Sequence, residues 1–309
     1  MNCHATGGLK HIMDLKQYLK ERCRLVDEAL ERYLPKEDEL PSILHKSMRY
    51  SVFAGGKRIR PILMLAACES VGGDLSHAMP AACAMEMIHT YSLVHDDLPA
   101  MDDDDFRRGN PTNHKVFGEA VAILAGDALL TQAFILMSRN VNGSKPSAER
   151  LLAVIQEISC CAGSHGMVGG QVVDMESEGN QEIDLPTLQY IHTRKTGALM
   201  KASVKAGAIL GGADDSAVSS LTRYGEAIGL AFQIADDILD IVGTTEELGK
   251  DAGSDEARGK ATYPALMGLA ESKRRAAELV DMALDALSSF DSKADPLREI
   301  ARYIVARKS

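Results

Sequence analysis

The chain has 309 residues and a formal net charge of −10, with 45% hydrophobic and 25% charged residues, 5% aromatics and no Trp. Those proportions are ordinary for a globular protein with a sizeable core, and they leave Leu, Ala, Met and Ile to fill it. The acidic balance excludes a general nucleic-acid binder, which needs a basic face, and an anionic ligand would need metal ions or locally concentrated Lys and Arg.

The opening segment, MNCHATGGLKHIMDLK, lacks the apolar core of a signal peptide. Residues 1–12 are expected to be a disordered extension, and residues 13–309 a single all-α domain. Six cysteines, at positions 3, 23, 68, 83, 160 and 161, form no C-x-x-C pair and mostly lie in apolar stretches. They read as reduced thiols packed as small hydrophobes, which fits the cytoplasm. No apolar run reaches the roughly 20 residues of a bilayer span. The segment Ala120–Met137 is interrupted by Gly126 and Asp127, so no membrane span is expected.

Helix follows helix, with polar breaks near 35–41, 72–74, 140–147, 179–184 and 211–215. Regular alternation of apolar and polar residues is missing, so strands are not expected. With no internal repeat and no linker, an antiparallel helical bundle is the economical architecture.

In chain order, the first motif is Gly55-Gly56-Lys57-Arg58-Ile59-Arg60-Pro61. Its glycines allow close backbone approach and its cations form an anion site, although a basic turn between helices has the same composition. A helix is predicted over about Ala78–Asp97; it is apolar nearly all round, so it belongs in the interior. Its polar residues, Glu86, His89 and Ser92, therefore need partners or a function. Pro99 stops it.

An acidic run, Asp96 to Asp105, begins at that helix end, where the macrodipole already disfavours negative charge. Asp96 and Asp102 can face one cavity across the turn and share a cation. Phe106-Arg107-Arg108-Gly109 follows at once.

The clearest helix is predicted over about Ala217–Val242, capped by Asp214 or Asp215, with one apolar stripe from Val218 to Val242. Gln233, Asp236, Asp237 and Asp240 fall on a separate stripe. Asp236 and Asp240 stand four apart, about 6 Å between Cβ atoms, and repel unless a cation neutralises them. Magnesium suits both acidic clusters, because it accepts a few carboxylates and leaves positions for water and phosphate. Lys195-Thr196-Gly197, Lys250 and Lys260 add basic residues, each unremarkable alone.

Together GGKRIRP, DDLPAMD with FRRG, GMVGGQVVD (166–174), KT and FQIADDILD occur in the order of one family. Over about residues 42–308 the chain resembles the trans-prenyltransferases, the polyprenyl synthase family, nearest its bacterial short-chain farnesyl diphosphate synthases. The resemblance implies an all-α bundle of the isoprenoid synthase type around a central cavity, usually a homodimer. It implies magnesium on Asp96, Asp102 and Asp236, about three ions with substrate bound, with manganese as a substitute. Asp97 and Asp240 would act through water or from behind the ligands. Arg107 would grip the allylic diphosphate. Lys57, Arg60, His89 and Arg108 would bind isopentenyl diphosphate. Lys195, Thr196, Gln233, Lys250 and Lys260 would surround the allylic diphosphate and the developing cation.

The implied reaction ionises an allylic diphosphate and joins the cation to the isopentenyl double bond, with no covalent enzyme intermediate. Tyr91 stands five residues before Asp96, about 7.5 Å along the axis at about 1.5 Å per residue. With the small Ser92 it would set product length, and a ring there resembles farnesyl (C15) enzymes; a geranylgeranyl (C20) enzyme is the alternative. A terpene cyclase would not need GGKRIRP, a non-catalytic partner subunit would typically lose one Asp-rich motif, and a structural metal bundle would leave the cations unexplained.

Overall fold

The computed structural model describes residues 13–139, 146–177, 179, 183–242 and 261–306. Helices α1 (Leu15–Tyr33), α2 (Ser42–Val52), α3 (Ile59–Ser70) and α4 (Leu75–Asp96) open the fold. After them come α5 (Asn113–Phe117), α6 (Glu119–Met137), α7 (Ala148–Ala162), α8 (Met167–Ser177), α9 (Leu185–Ile191) and a π-helical turn, His192–Gly197. Then α10 (Ala198–Gly211) and the long α11 (Asp215–Val242) lead to helices Tyr263–Met267, Leu269–Ala286 and Asp295–Ala306. The molecule is an all-α bundle, and its described cysteines, Cys23, Cys68, Cys83, Cys160 and Cys161, are free.

Two hydrophobic clusters hold the bundle together. One gathers α4, α6, α7 and part of α10 around Met85, Ile88, Leu129 and Leu199. The other gathers α11, the rest of α10 and the last helices around Tyr224, Ile228, Ile234 and Leu297. Helix α3 feeds both, since Met64 and Leu65 face the first cluster and Ile62 and Leu63 the second. Side chains all round α3 are therefore removed from water, and α3 is a central spacer.

Helix α4 starts at Leu75, earlier than its apolar pattern suggests, because Asp74 caps it by accepting from the Ser76 amide at 2.8 Å. Asp214 does the same for α11, accepting from the Ala217 amide at 2.8 Å. The predicted stripe of α11 holds from Val218 to Leu239 but not at Val242, which is exposed. From Ala227 to Ala231 every residue is buried, because neighbours pack on several sides of the helix there.

Two expectations need correction. A short antiparallel ladder pairs Phe106 with Pro111 and Arg107 with Asn110. Its loop residues, Arg108 and Gly109, both take positive φ, 53° and 79°. That is the two-residue turn whose twist matches paired strands, and a ladder so short carries no alternation for a sequence reading to find. Secondly, α6 and the stretch Ala148–Ser177 are long and apolar enough by composition to cross a membrane. Gly126 and Asp127 do not interrupt α6, since a single Gly and Asp cost a packed helix little. It lies in the bundle with Ala122, Ala125, Leu129, Ala133 and Leu136 buried.

Candidate active site

The chain folds back on itself after α4. The Asp102 amide donates to the Asp96 carbonyl at 2.9 Å, and the Asp103 amide to the Leu98 carbonyl at 3.1 Å. Asp102 is thereby set beside Asp96 on a turn that Pro99 prevents from continuing as helix. Burial pushes the Asp96 carboxyl up to about 6; Lys195 pulls against it, and Asp102 and Asp97 add to it.

The hairpin aims its two arginines differently. Arg107 Nε donates to Asp97 Oδ1 at 2.6 Å, and its Nη2 lies 3.4 Å from Asp104 Oδ2. Arg108 Nη1 donates to the Gly55 carbonyl, and the guanidinium lies over Gly56, where a Cβ would stand 2.6 Å from Nη1. Asp97 is thus the partner of an arginine.

A cavity of about 560 Å³ gathers Lys57, Arg60, His89 and Arg108, with Phe232 of α11 and Tyr303 of the last described helix on its wall. Burial lowers the Arg60 pKa; Glu86 opposes this, Arg108 adds to it and Asp236 opposes it in turn. The Arg60 Nε is buried without a hydrogen-bond partner. Burial also holds His89 well below its ordinary pKa, helped by Arg60, Arg108, Arg107 and Arg58, so His89 is a neutral group among cations. Such a set suits an anion with several oxygens. Arg58 and Glu86 line the same cavity, but the donors of Arg58 are engaged: its Nη1 donates to Glu86 Oε1 at 2.8 Å, its Nε to Asp27 Oδ1 at 2.8 Å and its Nη2 to the Val52 carbonyl at 2.6 Å. Glu86, the buried acid of α4, finds its partner there.

A second cavity, of about 150 Å³, is lined by Asp174, Lys195, Thr196, Gln233, Asp237 and Thr262. Lys195 and Thr196 sit in the π-helical turn, an irregularity frequent at functional sites. Lys195 Nζ lies 2.6 Å from Asp174 Oδ2. Burial works to lower the Lys195 pKa, yet Asp174, with Asp96 and Asp102, holds it above the ordinary value. Glycines make the close packing here possible. A Cβ on Gly170 would meet the Lys195 backbone, and one on Gly229 would stand 2.9 Å from Gly197 Cα. Consecutive residues of α11, Phe232 and Gln233, line the two cavities, so this helix forms the wall between them.

Asp237 shares the acidic motif but is tied differently. Its Oδ2 accepts from His192 Nε2 at 2.9 Å and from the Tyr263 amide at 2.9 Å. Tyr91 is buried with its ring edge-on to His95, centroids 5.7 Å apart. Ser92 Oγ donates back to the His89 carbonyl at 2.9 Å. Neither lines the two cavities above. Lys250 and Lys260 lie outside the described residues.

Among the described residues, no three His, Cys, Asp or Glu side chains converge as a ready metal cage. The carboxylates present are hard oxygen donors, with Asp102 beside Asp96 at the end of α4. That donor set fits magnesium, which takes one or two carboxylates and completes its shell with water and phosphate oxygens. The residues that motif reading gave no role are Asp174 and His192. Asp174 ends GMVGGQVVD and His192 stands three before Lys195, but only their spatial partners reveal what they do.

Residues 41–300 match the Polyprenyl synthetase family. The chloroplastic geranylgeranyl pyrophosphate synthase of Catharanthus roseus is 51% identical over 295 residues, spanning 95% of this chain and 82% of the relative. The farnesyl diphosphate synthase of Geobacillus stearothermophilus is 49% identical over 295 residues, spanning 96% of this chain and 98% of the relative. A solved FPP/GFPP synthase from Zymomonas mobilis superimposes with a TM-score of 0.84 at 40% identity, covering 94% of this chain and 99% of that one.

Proposed function

Because this chain belongs to the polyprenyl synthetase family and is a trans-prenyl diphosphate synthase of isoprenoid biosynthesis, we propose that it condenses isopentenyl diphosphate with dimethylallyl and geranyl diphosphate to give farnesyl diphosphate. The observation carrying the C15 product is Tyr91, a buried ring five residues before Asp96 and edge-on to His95. On this reading a chain growing down α4 from the acidic end would reach that ring, which lies outside the two cavities described above. The second reading, a geranylgeranyl product, is favoured by the similarity to the Catharanthus relative. Incubation with isopentenyl diphosphate and each of the C5, C10 and C15 allylic diphosphates, followed by product sizing, decides between them. Accumulation of C20 from every starter would defeat the C15 assignment.

Lys57, Arg60, His89 and Arg108 bind the isopentenyl diphosphate in the larger cavity, where Arg60 Nε lacks a partner. Arg107 and Lys195 meet the allylic diphosphate and balance the negative charge that grows on it as the carbon–oxygen bond breaks. Asp97 and Asp174 orient these two cations. Thr196 and Gln233 turn dipoles toward the developing allylic cation without forming a bond to it. Lys250 and Lys260 belong to the same reading as further diphosphate partners. Asp96, Asp102 and Asp236 would hold magnesium, which supplies positive charge to the departing diphosphate. The isopentenyl double bond is the nucleophile, and the proton lost at the end goes to the departing diphosphate, so no side chain serves as nucleophile or as general base.

A homodimer fits the exposed apolar side chains of α6, Ile123, Leu124 and Ile135, together with Val168, Val172 and Met175 of α8. Such side chains would be covered if they form the subunit interface. Sedimentation at micromolar concentration tests this, and a monomer would refute it. The free cysteines support a reducing compartment such as the cytoplasm.

A further inference from the structure

We propose that Asp237, although it is the second acid of an Asp-Asp-x-x-Asp motif, is a positioning residue that latches the π-helical turn and the start of helix Tyr263–Met267 onto α11. This deepens the proposed function, on which its kinetic part rests. One oxygen of Asp237 receives two protein donors, His192 Nε2 and the Tyr263 amide, each at 2.9 Å. Asp237 is 5% exposed, His192 7% and Tyr263 2%. A carboxylate only accepts, so the contact fixes the His192 tautomer with its proton on Nε2. The imidazole stacks on the Tyr263 ring, centroids 5.5 Å apart and planes 24° from parallel. Buried polar groups satisfied in this way hold a single arrangement, and an ion bound to that oxygen would have to displace both donors.

The position of the latch gives it a consequence for the reaction. His192 opens the turn that carries Lys195 and Thr196, and Gln233 lies one helical turn before Asp237 on α11. All four polar side chains, Lys195, Thr196, Gln233 and Asp237, line the same cavity. The turn is also held where Gly197 meets Gly229 and where Lys195 meets Asp174, and the latch adds a tie at its first residue, His192. An error of about 1 Å in placing a charged group can cost about 100-fold in rate.

The test uses the full chain with Asp237→Ala, Asp237→Asn, His192→Phe and the Asp237→Ala/His192→Phe double variant. Without metal or substrate, amide exchange at Tyr263 and across 192–197 should accelerate in Asp237→Ala and His192→Phe and stay near the parent in Asp237→Asn, whose amide oxygen still accepts. In turnover, Asp237→Ala should lower kcat about 100-fold while the isopentenyl KM stays within about twofold. The double variant should fall no more than about threefold further, since the two residues act as one unit. Unchanged exchange in Asp237→Ala overturns the inference. So does equal impairment of Asp237→Asn and Asp237→Ala with a raised magnesium requirement, the signature of an ion ligand. If Asp237→Ala fails to fold, His192→Phe decides by the same criteria. If the parent does not condense the diphosphates, the functional reading fails and the exchange measurement still judges the latch.

Discussion

Lys195 Nζ stands 2.6 Å from Asp174 Oδ2, a contact that joins the π-helical turn to the end of the GMVGGQVVD segment. With Asp174 and Asp96 both acting on it, the ammonium stays charged in a half-buried place, held against Asp174 at the end of the GMVGGQVVD segment. Asp174→Ala should release it. A hydrogen bond to a charged group contributes about 1.5–3 kcal/mol, so kcat/KM for the allylic substrate should fall between about 10- and 150-fold. Steady-state kinetics with geranyl diphosphate varied checks this, and a variant within twofold of the parent would contradict it.

Gly56 has a φ of 126°, and a Cβ there would stand 2.6 Å from Arg108 Nη1. Gly56→Ala should therefore strain the backbone and push Arg108 off the Gly55 carbonyl. The expected result is an isopentenyl KM raised about tenfold or more, equivalent to about 1.4 kcal/mol, with the allylic KM little changed. An equal rise in both would argue against Arg108 serving only one substrate.

Glu86 and Arg58 form a buried ion pair at 2.8 Å with both side chains 2% exposed. Glu86→Ala would leave the buried Arg58 with only the more exposed Asp27 as a charge partner, at a cost approaching about 3 kcal/mol. Glu86→Ala should unfold at markedly lower urea. Retained stability would mean that Asp27 and the Val52 carbonyl alone suffice for Arg58.

Burial and four arginines keep His89 from taking a proton in the folded protein near its ordinary pKa of 6.5. The unfolded chain does take it below that value, so more protons bind on unfolding and stability falls as pH falls below about 6.5. The slope from one such group approaches about 1.4 kcal/mol per pH unit. Asp96 works the opposite way: with its carboxyl raised from 3.8 to about 6, the folded state takes up its proton first, and stability recovers as pH drops through that window. Comparing the parent with His89→Gln cancels the Asp96 contribution. Urea unfolding between pH 5 and pH 7.5 should show a weaker acid loss in His89→Gln, and identical slopes would refute the assignment.

Tyr91→Ala removes the ring that packs edge-on against His95. Loss of a buried aromatic should destabilise the fold by about 3 kcal/mol. If the ring ends the hydrocarbon channel, the product should lengthen from C15 toward C20. Chromatographic sizing that still finds only C15 would place the limit elsewhere.

The acidic and basic motifs, their order and the helical character of the chain were legible from residues alone, because each depends on local spacing: carboxylates four apart, an apolar helix without a wet face, a proline at its end. Family resemblance rested on the same local runs. The roles of individual motif members were not legible. Arg58 and Arg60 stand two residues apart on one cavity, yet Arg58 is paired with Glu86 and Asp27 while Arg60 Nε is buried without a hydrogen-bond partner. Asp236 and Asp237 are neighbours, yet Asp237 is held by His192 and Tyr263 from elements distant in sequence. Neither partner carries any signal that it will come within hydrogen-bond reach. The hairpin at Phe106–Pro111 escaped because a pair of two-residue strands has no periodicity, only a turn with positive φ. Chemistry is written in the sequence as an inventory of groups; which donor meets which acceptor is decided by how the helices pack, and that depends on long-range contacts made only when the chain is folded.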